Sequence, residues 1–209
     1  MVKKIVGVAV IGFMVCVQAM TAQAQDSASD SIERLLEMNR NIEGEFRQVT
    51  YDEKGKQLQA SEGVFLLAKP NQFVWDSVTP FSQRIISDGN YITVWDVDLE
   101  QATKKPLSGA IGNSPAALLG RPAAEVLPHY TVAMLGQEKF RLQPKEDQEL
   151  FQALTLSFRD EVISAMSIVD ALGQTTVIEF KNVETHDGVA KENFVLDLPA
   201  NVDVIVEGQ

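Results

Sequence analysis

From Gly44 onward the chain is written with period two, in short runs separated by turn residues. No other feature limits the fold as strongly. Side chains of a strand alternate between its two faces, so such runs read as strands of a sheet with distinct faces. Six candidates come first: Gly44–Tyr51, Leu58–Leu67, Gln72–Asp76, Ser82–Ser87, Tyr91–Asp96 and Glu100–Lys104. Six more follow: Tyr130–Leu135, Lys139–Leu142, Ala153–Phe158, Ala165–Asp170, Thr175–Val183 and Val202–Val206. Glu53-Lys54-Gly55-Lys56, Asp88-Gly89, Gly136, Asp160-Glu161 and Leu172-Gly173 supply turn chemistry between them. Connections this short join antiparallel neighbours and leave no room for parallel crossovers. A sheet of about a dozen strands curls, so a barrel or half-barrel is expected.

Two segments break the pattern. Asp26 to Asn39 reads as an amphipathic helix, with Asp30 and Glu33 placed as a capping box and Ile32, Leu35 and Leu36 as its apolar stripe. Pro106 to Gly120 is a long insertion, too apolar for a solvated loop. Within it, Ser114 can cap a short helix with Pro115 in its first position, Ala116 to Leu119 as its body and Gly120 as its end. Val126 and Leu127 suit another short helix before Pro128. These helices are too few to cover a flat sheet but enough to plug a curled one.

The N-terminus indicates export. Lys3 and Lys4 precede an apolar run from Ile5 to about Val17, and Ala22-Gln23-Ala24 follows as a small-x-small cleavage pattern. The run is short for a membrane-spanning helix. The sole cysteine, Cys16, lies within it and lacks the small residues that a lipid-attachment signal places before its cysteine. Cleavage after Ala24 leaves residues 25–209 as one domain without cysteine, and loss of two lysines takes the net charge from −11 to −13. A chain of that size buries about 70% of its unfolded surface and can rely on its core alone. The acidic balance argues against nucleic acid and anionic membrane surfaces as partners.

The usual marks of catalysis are missing. There is no G-x-S-x-G nucleophile turn, and Gly109, Gly112 and Gly120 lack the spacing of a phosphate loop. His129 and His186 stand apart in turn-like contexts, which suits solvent exposure better than metal ligation. Asp96, Asp98 and Glu100 could serve an acid–base pair, but acidic residues near strand ends are commonly turn-formers. An enzyme is disfavoured, and neither cofactor nor metal is expected.

What remains is apolar surface. Phe46, Phe65, Phe73 and Trp75 lie on the first three strands, and Phe73 and Trp75 share a face. Val64, Leu66 and Val74 put apolar groups on the opposite face too, the mark of strands buried on both sides. For each aromatic the pattern allows core packing or the wall of a ligand-holding interior.

The order of short motifs goes further. Phe46-x-Gln48, Gly63, Lys69-Pro70-x-x-Phe73-x-Trp75, Pro80, Ser87-Asp88-Gly89, Asp96, Glu100-Gln101-x-Thr103 and Gly112-Asn113-Ser114-Pro115 occur in sequence, followed by Asp170 to Gln174 and Asn193-Phe194. This set, spread over the whole mature chain, closely resembles the LolA family of periplasmic outer-membrane lipoprotein carriers. The resemblance implies an incomplete antiparallel β-barrel closed by a lid of short helices, with a cavity that holds the acyl chains of a lipoprotein. It implies a monomer without cofactors that takes cargo from an inner-membrane lipoprotein-releasing ABC transporter and passes it to the outer-membrane acceptor LolB. By position, Phe73 and Trp75 match the family's cavity aromatics, and Ala116, Ala117, Leu118 and Leu119 match its lid helix. Phe46, Phe65 and Leu35 complete the candidate acyl-chain site.

Two departures from the family follow. Lys69 stands where an arginine usually holds the lid by its backbone; lysine keeps the charge but loses the planar fork of donors, so a weaker latch is expected. Ala116 and Ala117 are small for the lid, which should pack less tightly. Two other readings stand beside the carrier. One is a periplasmic sensor on the same scaffold; such sensors carry an additional domain, for which the end near Gln209 leaves no room. The other is a hydrolase built on Asp96, Asp98 or Glu100.

Overall fold

The computed structural model describes residues 28–107, 115–146 and 151–208. The signal segment with Cys16, the start of the first helix, and Gly109, Gly112 and Ser114 of the insertion lie outside them. Twelve strands form one sheet: β1 (Asn41–Tyr51), β2 (Gln57–Ala68), β3 (Gln72–Thr79), β4 (Gln83–Asp88), β5 (Tyr91–Asp96), β6 (Gln101–Pro106), β7 (Tyr130–Gly136), β8 (Lys139–Pro144), β9 (Phe151–Arg159), β10 (Val162–Asp170), β11 (Thr175–Thr185) and β12 (Asp203–Val206). Each lies where alternation places it. The helices are α1 (residues 28–38), α2 (Pro115–Gly120) and α3 (Ala123–Val126), with 3-10 turns at Leu127–His129 and Lys191–Phe194.

The strand order is β12-β6-β5-β4-β3-β2-β1-β11-β10-β9-β8-β7. Two meanders, β1 to β6 and β7 to β11, are joined where β1 pairs with β11. Among the described residues the sheet does not close, and β12 and β7 are its edges. Every pairing is antiparallel except that of β12, which lies parallel to β6 after the chain crosses over from β11.

The turns obey local chemistry. Asp160 and Glu161 both have positive φ and join β9 to β10 as a two-residue turn. Asp170 Oδ1 accepts from the backbone N–H groups of Leu172 and Gln174, and Gly173 takes φ 78°. At the β4–β5 hairpin the turn lies one residue later than expected. Asp88 ends β4, its carboxylate accepts from Asn90 N and Tyr91 N, and Gly89-Asn90 makes the turn.

One apolar cluster gathers side chains from nine of the strands and all three helices: Ile32, Leu35 and Leu36 of α1, Ala117 and Leu119 of α2, and Ala123 and Val126 of α3 pack with the inward residues of the sheet. The sheet therefore wraps around its helices, an open half-barrel plugged from the concave side.

Two local expectations change. Asp30 lies inside α1, already in its first described turn, so it is not the N-cap. The second face of β2–β3 is only partly covered: Val64 is 48% exposed. The 3-10 turn Lys191–Phe194 packs on the outside of β3 and β4, where Phe194 and Ile86 are buried. A short return of the chain thus supplies an outer cover that ends before Val64.

Candidate functional site

Register builds the concave face in rows that cross β2 to β5. The first row is Leu67, Phe73, Ser87 and Ile92, all buried. The second is Phe65, Trp75, Ile85 and Val94. The third is Gly63, Ser77, Gln83 and Asp96. Moving one row is two residues along each strand, and the chemistry goes from aliphatic and aromatic to polar.

The first row is closed. Phe73 is 0% exposed, and the bare backbone of Gly120 at the end of α2 lies over its ring, where an added Cβ would sit 3.4 Å from Cδ1. Ala117 and Leu119 of α2 are buried, and Leu118 is half-buried against the same core. Ala116 falls in α2, but its side chain lies outside the described residues. Leu35 of α1 is buried in the cluster.

Trp75 of the second row is the centre of an aromatic stack that also draws in Phe46, whose register partner Gly63 belongs to the third row. The Phe46 and Trp75 rings stack with centroids 4.1 Å apart, and Phe65 tilts against Trp75 at 5.8 Å. Phe180 of β11, directly opposite Phe46 in register, completes the group edge-on to Phe65 at 5.2 Å and to Trp75 at 6.3 Å. The sequence reading missed Phe180, although Ile178-x-Phe180 is the alternation that would have found it.

Beyond Trp75 the concave side opens. A cavity of about 600 Å³ is walled by Trp75, Ile85, Pro80, Phe81 and Leu99. Its polar lining includes Gln48, Ser61, Ser77, Gln83 and Asp96. Phe81 and Leu99, on the β3–β4 and β5–β6 turns, are 71% and 72% exposed at its rim. Trp75 therefore marks the boundary: its ring closes the packed core on one side and forms the cavity wall on the other. Asp96 accepts a hydrogen bond from Gln83 Nε2 at 2.6 Å, and Asp98 accepts a longer one from Ser82 N–H at 3.4 Å. Glu100 is exposed in the β5–β6 turn with φ 52° and does not line this cavity.

The Lys69-Pro70-Asn71 turn ties two helices to the rows. Lys69 Nζ donates to the Leu36 carbonyl in the last turn of α1 at 2.9 Å, and its backbone N–H donates to Arg40 O. Asn71 N–H donates to Gly120 O, the end of α2, at 2.8 Å. Ser87 Oγ, fully buried, donates to Asn71 O and fixes the turn from below. The side-chain bond of Lys69 thus reaches α1, while α2 is held through the backbone of Asn71. Burial pushes the Lys69 ammonium down to about 8; Glu37 opposes this and Arg40 adds to it. The carbonyl end of α1 also favours a cation there.

The C-terminus of α1 has a second anchor. Asn39, buried, donates from Nδ2 to Leu35 O and Glu161 O, and its Oδ1 accepts from Ile163 N–H. Away from this face, His129 is exposed, whereas His186 lies 3.2 Å from Glu43 with Glu184 close by. Pairing of β1 with β11 creates that trio, which residue spacing does not reveal.

The fold is an open antiparallel half-barrel, plugged by short helices and opening into a cavity past an aromatic stack. The family model for outer membrane lipoprotein carrier protein LolA matches residues 37–197, and the chain belongs to that family. It is 36% identical over 191 residues to an outer-membrane lipoprotein carrier protein of Pseudomonas fluorescens, covering 90% of this chain and 93% of the relative. It is 35% identical over 190 residues to one of Alcanivorax borkumensis, covering 89% and 91%. Among solved structures, a LolA superfamily protein of Nitrosomonas europaea aligns with a TM-score of 0.49 at 11% identity, over 83% of this chain and 98% of the other.

Proposed function

We propose that this chain is a periplasmic carrier that moves lipoproteins from the inner to the outer membrane by holding their acyl chains on its concave face. The observation that carries the reading is the continuity of the aromatic stack with an open cavity at Trp75, in a chain that matches lipoprotein carriers over nine-tenths of its length. Exposing acyl chains to water costs about 0.8 kcal/mol per CH₂, so a cargo of this kind needs a continuous apolar surface from membrane to membrane. Phe46, Phe65, Trp75 and Phe180 form the wall against which the chains lie. Leu35 on α1 and Ala117 to Leu119 on α2 are the cover that gives way to let them deeper, towards Phe73. The turn at Lys69 and Asn71 is the hinge of that cover, since it bonds the ends of both helices. No covalent step is required; transfer needs only a receiving site that holds the chains more favourably.

In this reading, a signal peptide ending at Ala24 delivers the chain to the periplasm. An inner-membrane ABC transporter loads it, and an outer-membrane acceptor unloads it. The test is incubation of the purified mature chain with spheroplasts. Release of lipoprotein into a soluble one-to-one complex is the expected result. Spheroplasts that release none, with a folded chain present, refute the proposal.

A further inference from the structure

The mouth of the cavity has a charge pattern that the carrier reading does not require. Asp96 and Asp98 both line it, as do Gln48, Ser77 and Gln83, and no lysine, arginine or histidine lines it among the described residues. The polar row begins one register step outside Trp75, where acyl chains laid along the aromatic stack would reach their linking groups. Amide and hydroxyl side chains can bond to uncharged ester, amide and glyceryl oxygens. They do not offset a phosphate, which would bring a full negative charge against two carboxylates with no cation to receive it. Phe81 and Leu99 at the rim present apolar surface to the acyl part of an arriving lipid and add no charge.

Resting on the carrier reading above, we propose that Asp96 and Asp98 make the mouth a selectivity filter: it admits acyl chains attached to a neutral head and rejects those of anionic phospholipids. A carrier that works between two membranes meets phospholipid in great excess over its cargo, and the apolar wall by itself does not discriminate between acyl chains. Rejection therefore has to act on the head. The hydrogen bond from Gln83 holds the Asp96 carboxylate at the cavity wall, and the Ser82 N–H orients Asp98 towards the same opening.

The experiment loads the mature chain from two sources in parallel: a triacylated lipopeptide with an uncharged peptide, and vesicles of phosphatidylglycerol. Lipid that co-elutes with protein on gel filtration is counted. The wild type is expected to load lipopeptide and little phosphatidylglycerol. Asp96→Asn combined with Asp98→Asn should raise the ratio of phosphatidylglycerol to lipopeptide by about tenfold at low salt. High salt should raise that ratio in the wild type and leave the double variant almost unmoved. Asp98→Asn alone, at an exposed position, gives a smaller rise and serves if the double variant folds poorly. An unchanged ratio in the variants, or a wild type that loads both lipids equally, overturns the filter and leaves the carrier reading standing. A wild type that loads neither lipid overturns both.

Discussion

Replacement of Lys69 by methionine should change the pH dependence of stability in a way that identifies its role at the end of α1. The ammonium is half-buried beneath the helix and donates to Leu36 O, with Glu37 and Arg40 as the charged groups around it. Burial lowers its pKa from 10.5 to about 8. The folded state therefore disfavours the proton that the unfolded chain still binds between these values. Below about 8 both states are protonated and the full penalty is present. As pH rises from about 8 to 10.5 the penalty is relieved, and the wild type gains stability. At 1.36 kcal/mol per pH unit, the gain is about 3 kcal/mol across that window. Lys69→Met keeps the apolar stem and removes the titration. Urea unfolding of both proteins at half-unit steps from pH 7 to 10.5 gives the difference curve. The wild type should climb relative to the variant by about 3 kcal/mol across the window. A flat difference curve would refute the argument, because it would mean that the ammonium is solvated in the folded state.

Three further substitutions test the architecture. Asn39→Ala removes three hydrogen bonds at the C-terminus of α1 and strands buried partners, so thermal melts should show a loss of about 2–3 kcal/mol. Phe73→Ala empties a fully buried site under Gly120 and should cost about 3–5 kcal/mol by denaturant unfolding; a cost near 1 would mean that the first row is loosely packed. Gly63→Ala places a Cβ against the Asp76 carbonyl oxygen and the Phe46 ring, where β2 bulges against β3. It should abolish the cooperative transition or lower stability by about 3 kcal/mol or more.

Most of the fold was legible along the chain. Alternation located all twelve strands because side-chain direction in a strand depends only on the neighbouring residues. The same local chemistry revealed the turns at Asp160-Glu161 and Gly173 and the proline that opens α2. Asp30 misled because a capping pattern can recur inside a helix that starts earlier, and Val64 misled because period and polarity do not say how far a covering segment reaches. Ordered motifs, not any one residue, identified the family.

What the sequence could not hold is distance. Phe46 and Phe180 are 134 positions apart, and only the β1–β11 register makes them one stack with Trp75. Whether Phe73 and Trp75 were core or cavity wall had no answer in their spacing, since both point to one face; depth along the strand separates them, with α2 sealing the first and leaving the second at the opening. Lys69, in place of the family's arginine, is expected to be only a weak latch on the lid helix. Tertiary packing instead gives its ammonium to α1 and leaves α2 to the backbone of Asn71, because the turn they share sits between the ends of both helices.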